Sequence, residues 1–213
     1  MTPQHEQMFR DLTQMVASSG VQEFLDPYPF RDRPQHMYRC YCWAERILRT
    51  RPDADAELTL VATLFHDVGV IRSTPEQLKA GHDELGGPIV REYLLEHGYA
   101  AEFADRAAYL VAHHQQRELI QAEGTPIEHV ILMEADMLDE RGALGIVWDA
   151  MAEGARNAPT YAATLERFKQ RKLYRRPERN PLHTEAARAF WAEKQRLHVQ
   201  FIAALERDLG LSD

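Results

Sequence analysis

The side chains best suited to holding a cation are His36, the adjacent pair His66-Asp67, and Asp136, with His82 and the pair His113-His114 lying between them. Imidazole nitrogens and carboxylate oxygens are the donors that divalent transition ions accept. His66 and Asp67 close the most apolar stretch of the chain, LTLVATLF at 58–65. Burying an ionised carboxylate there is costly unless a cation or several hydrogen bonds compensate it. Adjacent helical residues point about 100° apart, so at a helix end both can reach one ion from two sides. A single histidine on an apolar face is more often a hydrogen-bonded core residue than a ligand, and an HD dipeptide arises by chance. The weight lies in the conjunction.

The elements that must position these donors read as helices almost throughout, since no segment alternates with period two. Met8, Leu12, Met15 and Val16 mark a first helix closed near Gly20, followed by a Pro-rich loop at 26–34. The next helix starts near Gln35 and puts His36 on one stripe with Cys40, Trp43 and Ile47. A third, about 55–67, is apolar nearly all round and belongs at the centre of the core; Asp53 or Asp55 caps it and Gly69 stops it. A fourth runs from about 82 to 97 before Gly98, and Phe103, Ala107, Leu110, Val111 and His114 trace a fifth. Pro126 opens a sixth, on which Asp136 lies one turn beyond Leu132 and Met133 and points inward. Further helices are expected at 143–153, 160–174 and 184–209.

Composition sets outer limits. The chain has 213 residues, 45% apolar and 27% charged, as expected of a globular protein rather than a disordered or fibrous one. One domain, 1–213, is the simplest account, all-α with about eight to nine helices. Its core would span about 28–150, with C-terminal helices at about 159–209 packing on it. A net charge of −8 argues against general affinity for nucleic acid but not against a small anionic substrate. The basic run RFKQRKLYRRPER at 167–179 reads as a solvated helix face and its exit loop. Cys40 and Cys42 exclude a disulfide framework and read as buried structural thiols. The polar N-terminus does not suit a signal peptide, and no apolar run approaches the roughly 20 residues that span a bilayer. A cytoplasmic setting is expected.

The segments PFRDRPQHMYRCYCWAERI (29–47), LVATLFHDVGV (60–70) and ILMEADMLDERGALGI (131–146) together resemble the HD-domain metal-dependent phosphohydrolases. That family has a histidine on one helix, an apolar helix ending in His-Asp, and a later aspartate. The resemblance covers roughly 28–150, with a looser likeness in 182–209. It implies a single HD-type helical bundle with His36, His66, Asp67 and Asp136 as metal ligands. Imidazole and carboxylate donors without thiolate favour Mn, Fe, Co, Ni or Zn. Family members with two metals carry further histidines in the region of His82, His113 and His114, which implies one or two ions here, with Asp67 bridging. Glu134 and Asp139 are candidates for steadying a ligand histidine.

The implied reaction is hydrolysis of a small phosphorylated or nucleotide-like substrate, Asp67 binding metal and orienting the attacking water. Arg31 and Arg33 are the first choices for phosphate contacts, Arg72 and Lys79 the second, because guanidinium geometry suits phosphate oxygens. Two departures narrow the activity. Relatives that cleave alarmones or nucleoside monophosphates carry an acidic residue soon after His-Asp, where this chain has Val68, Gly69, Val70 and Ile71. The cyclic-dinucleotide branch has a lysine where Val70 stands, and a Gly-Tyr-Pro motif absent here. Alternatives are an HD-fold di-iron oxygenase and a catalytically silent metal or nucleotide sensor. Self-association is compatible with the sequence.

Overall fold

A computed structural model of the chain describes residues 1–21, 32–74, 77, 81–139, 141–156, 160–170 and 179–212. Among these residues there are nine α-helices, two short 3-10 helices and no strands, an all-α fold. No described helix is long and apolar enough to cross a membrane. By its contacts the chain divides into two compact units, Met1–Asp136 and Met137–Asp213.

The first unit begins with α1 (Pro3–Ser19), capped by Thr2 and closed by Gly20 in the left-handed region at φ 72°. Next comes α2 (Arg33–Leu48), which starts two residues earlier than the sequence suggests. Pro34 sits in its first turn, where no backbone N–H is needed, and the Asp32 carboxylate accepts from the Gln35 amide at 3.0 Å. The rest of the 26–34 loop lies largely outside the described residues.

The central helix is α3 (Ala56–Phe65), capped by Asp55, whose carboxylate accepts from the Leu58 amide at 3.1 Å. Val61, Ala62, Leu64 and Phe65 are fully enclosed, and α3 packs against α2 and α5. It stops at Phe65, and the chain continues through His66 and Asp67 into a 3-10 helix, Val68–Arg72. That element was not foreseen: Gly69 is where two backbones meet, rather than a simple helix stop. A Cβ built on Gly69 would lie 1.8 Å from the His82 carbonyl oxygen and 2.7 Å from the Gly86 nitrogen. Glycine therefore lets the His-Asp turn press directly on the start of α4 (His82–Glu96).

Helix α5 (Ala101–Ala112) packs along α4 and ends just before His113-His114. A second 3-10 helix, Arg117–Gln121, leads to α6 (Ile127–Leu138), where Asp136 occupies the last turn. The second unit contains α7 (Ala143–Arg156), α8 (Tyr161–Gln170) and α9 (Glu185–Asp208). Within it α9 packs on α7 and α8, with Phe168 and Phe201 edge-to-face at 5.5 Å. Of the basic run, Arg167 pairs with Glu153 at 3.6 Å and Lys169 with Glu206 at 2.6 Å, while 171–178 lie outside the described residues.

Candidate metal centre

Three helices and two turns of the first unit bring six donors together. From α2 comes His36, from the turn after α3 His66 and Asp67, from α4 His82, from the turn after α5 His114, and from α6 Asp136. All are buried except Asp136, whose side chain is 17% exposed and leaves the cluster a route to solvent.

Two groupings share Asp67. In the first, His36 Nε2 lies 3.2 Å from His66 Nε2 and 3.3 Å from Asp136 Oδ1, and His66 Nε2 lies 3.8 Å from the same oxygen. Asp67 completes it, with Oδ2 at 3.7 Å from His36 Nε2 and Oδ1 at 3.8 Å from His66 Nε2. Metal bonds of about 2.0–2.2 Å separate neighbouring donors by roughly 3.0–3.4 Å in octahedral or tetrahedral geometry, so this spacing suits one shared ion. In the second, Asp67 Oδ1 is approached by His82 Nε2 at 2.8 Å and His114 Nε2 at 3.6 Å.

The tautomers point the same way. His66 Nδ1 donates to the Thr63 carbonyl at 2.8 Å, and His114 Nδ1 donates to the Val111 carbonyl at 2.7 Å. A carbonyl only accepts, so each neutral ring carries its proton on Nδ1 and turns an Nε2 lone pair inward. Those lone pairs face carboxylate oxygens, acceptor against acceptor, an arrangement that a cation or an extra proton must resolve. A proton on His66 is disfavoured: burial pulls its pKa down to about 4, against the opposing pull of Asp67 and Asp136. The residues present therefore fit a divalent ion.

Both carboxyls stay ionised. Burial pushes Asp67 up, but the Arg33 guanidinium, with His66, His114 and His82, holds it well below the usual carboxylate range. Burial likewise pushes Asp136 up, and Arg117, with His36 and His66, outweighs it. Arg33 Nη1 reaches Asp67 Oδ2 at 2.5 Å, and Arg117 Nη2 binds Asp136 Oδ2 while its Nη1 donates to the Met133 carbonyl at 3.0 Å.

Of the other residues singled out in the sequence, His113 lies outside the cluster. Its Nδ1 donates to the Tyr109 carbonyl at 2.8 Å and its ring rests on Tyr109, because the turn after α5 points consecutive side chains apart. Arg33 is in the site but on a carboxylate. Arg72 is exposed and pairs with Glu92 at 3.5 Å. Arg31 and Lys79 fall outside the described residues. Glu134 and Asp139 are both buried.

Three neighbours were missed. Cys40 Sγ sits 3.7 Å from His36 Nδ1, one turn along α2, although the stripe shared with His36 was already visible. Gln115 Nε2 lies 3.0 Å from His82 Nε2. Arg117 follows His114 by one turn in HHQQR, the only signal that could have drawn attention to it.

A helical bundle with paired imidazoles and carboxylates on three of its helices defines the class: the chain belongs to the HD domain family, matched over residues 33–141. It is 27% identical over 160 residues to the uncharacterized protein YpgQ of Bacillus subtilis, spanning 73% of this chain and 74% of that one. Its fold matches the crystal structure of Bacillus subtilis YpgQ in complex with ADP at TM-score 0.62 and 21% identity, covering 96% and 100% of the two chains. A predicted HD-superfamily hydrolase from an uncultured Thermotogales bacterium matches at 0.61 and 22%, covering 94% and 92%. An HD-superfamily hydrolase from Bacillus thuringiensis matches at 0.65 and 19%, covering 95% and 98%.

Proposed function

We propose that this protein is a metal-dependent hydrolase of a phosphate ester or nucleotide-like substrate. His36, His66, Asp67 and Asp136 would hold one ion, and His82 and His114, with Asp67, would hold a second. The observation that carries the reading is the charge balance of the cluster. Asp67 and Asp136 are matched by Arg33 and Arg117, and the His66 imidazole is neutral at physiological pH. The set is close to neutral before any ion enters, so a divalent ion leaves it positive in a buried setting. Only an anionic ligand restores the balance, and a phosphoryl group supplies one. The complex of the relative YpgQ with ADP supports a nucleotide as that ligand.

A divalent ion bound there would supply hydroxide from water near neutral pH and offset negative charge on phosphoryl oxygens. The chain's own residues do the rest. Thr63 and Val111 fix the two tautomers through their carbonyls, and Asp67, shared by both groupings, orients the attacking water. Asp136, on the exposed edge, stands where substrate enters.

Metal analysis of freshly prepared protein, coupled to a panel of phosphomonoesters, diesters and nucleotides, tests this. Turnover that follows the metal content and is indifferent to dioxygen is expected. Two irons with oxygen-dependent turnover would assign the site to oxygenase chemistry instead. Tight nucleotide binding with no turnover in the fully metal-loaded protein would make it a sensor.

A further inference from the structure

The two carboxylates of the cluster are each divided between their oxygens. Asp136 turns Oδ1 to His36 Nε2 at 3.3 Å and His66 Nε2 at 3.8 Å, and gives Oδ2 to Arg117. Asp67 turns Oδ1 to His82, His114 and His66, and gives Oδ2 chiefly to Arg33 at 2.5 Å. So held, Asp136 turns only Oδ1 to the ring nitrogens, whereas Asp67 Oδ2, although on Arg33, still lies 3.7 Å from His36 Nε2. Arg117 is itself fixed: its Nη1 donates to the Met133 carbonyl, one turn before Asp136 on α6. Its guanidinium thus grips the backbone of α6 and the carboxylate borne by the same helix, in the forked geometry that lysine lacks.

The segment that carries Arg117 matters as much as the contact. Within four residues, His114 approaches Asp67 Oδ1 at 3.6 Å, Gln115 approaches His82 Nε2 at 3.0 Å, and Arg117 binds Asp136. This turn between α5 and α6 therefore touches both groupings of donors: His114 packs edge-on against His66 at 5.1 Å, and Arg117 binds Asp136 itself.

We propose that Arg117 is a positioning residue that holds Asp136 to one-oxygen ligation and sets the His36–His66–Asp136 grouping in register with the His82–His114 side. It touches neither substrate nor the reacting atoms; it acts through Asp136. The inference rests on the metal reading above. Two physical effects predict opposite outcomes when it is removed. If Arg117 were merely a nearby positive charge, its loss would strengthen cation binding. As an orienting partner, its loss weakens binding, and partners of this kind are commonly worth about 10–100-fold in metal affinity.

The test compares native protein with Arg117→Met, Arg117→Gln and Arg117→Lys, using Mn(II) binding and the visible absorption of the Co(II)-loaded protein. We expect Arg117→Met to lose at least about tenfold in Mn(II) affinity and to change the Co(II) spectrum, as Asp136 is released to a different ligation. Arg117→Gln, which keeps a donor but no charge, should recover part of both, and Arg117→Lys should recover less of the spectrum than of the affinity. Mn(II) binding that is unchanged or tighter in Arg117→Met, with a native Co(II) spectrum, overturns the proposal. Should Arg117→Met not fold, the same comparison between Arg117→Gln and native protein decides it. Native protein that takes up no Mn(II) or Co(II) overturns the metal reading itself, a result distinct from uptake that is indifferent to residue 117.

Discussion

The first unit holds two groups of polar side chains, each built around a buried histidine, and they are put together on opposite plans. Near the start of α1, His5 Nδ1 meets the Tyr41 hydroxyl at 2.9 Å, and its Nε2 meets the two Glu57 oxygens at 3.2 and 3.1 Å. The Tyr99 hydroxyl donates to Glu57 at 3.2 Å, and the Gln4 amide donates to Tyr99 at 2.7 Å. Every donor there finds an acceptor: Nε2–H faces a carboxylate, and Nδ1 accepts from a phenol. Around Asp67 the plan is reversed, since ring lone pairs fixed by backbone carbonyls face carboxylate oxygens. A buried histidine matched to its neighbours ties helices together, whereas a set of mismatched acceptors is held together by something positive. Burial alone does not separate the two, because His5 and His114 are equally enclosed.

This contrast can be broken most severely at Asp67. Asp67→Ala should abolish metal uptake and any hydrolysis together, and should cost about 3–5 kcal/mol by stranding the buried Arg33. Metal content and thermal unfolding report on both, and full metal content in that variant would contradict the assignment. Next is Gly69→Ala, whose Cβ would collide with the His82 carbonyl. A loss of about 3 kcal/mol is expected, the upper end for overpacking, along with weakened metal binding as α4 is pushed off the His-Asp turn.

Added Mn(II) should stabilise the native protein by about 2.7 kcal/mol at a hundredfold excess over its dissociation constant. It should do nothing for Asp67→Ala, and it should act undiminished on a variant of the His5 group. Acidification gives a smaller effect. His129 is fully buried, its Nε2 donates to the His113 carbonyl at 3.1 Å, its Nδ1 has no partner among the described residues, and burial pulls its pKa down to about 4. The unfolded chain, titrating near the ordinary histidine value, binds that proton first, so stability is lost as pH falls below about 6.5 towards 4. From about pH 7 to about pH 5 the loss is about 2 kcal/mol, and His129→Gln should flatten this part of the profile in denaturant titrations. The smallest effect belongs to Tyr41→Phe, which should cost about 1 kcal/mol and leave metal affinity untouched.

Much of this was legible in the sequence because helix periodicity and donor spacing are local signals. The apolar run ending at Phe65, the cap at Asp55 and the inward stripe through His36 all follow from it, and the all-helical fold with them. The arginines on the carboxylates were not legible. Arg33 was expected to wait for phosphate, and Arg117 went unremarked, because a charge pair between residues far apart in sequence leaves no periodic trace. The choice between His113 and His114 was equally hidden, since a turn of irregular backbone decides which ring faces inward. Gly69 was noticed as a breaker, but its closeness to the His82 carbonyl is a tertiary fact with no local signature.

The bonds from Nδ1 to carbonyl have a meaning beyond the tautomer. Helices α3, α4 and α5 all finish on rings that reach back into their own final turn: His66 to Thr63, His97 to Tyr93, and both His113 to Tyr109 and His114 to Val111. Such carbonyls also accept backbone amides, as Tyr93 does from His97 N at 3.1 Å, so each ring adds a second bond at the helix end and acts as punctuation for the backbone as well as a donor. His66 and His114 perform both tasks at once. Exchanging either for cysteine or aspartate to favour a different ion would unravel the turn that aims it, so the selectivity of the pocket and the integrity of its walls are inherited as a single trait.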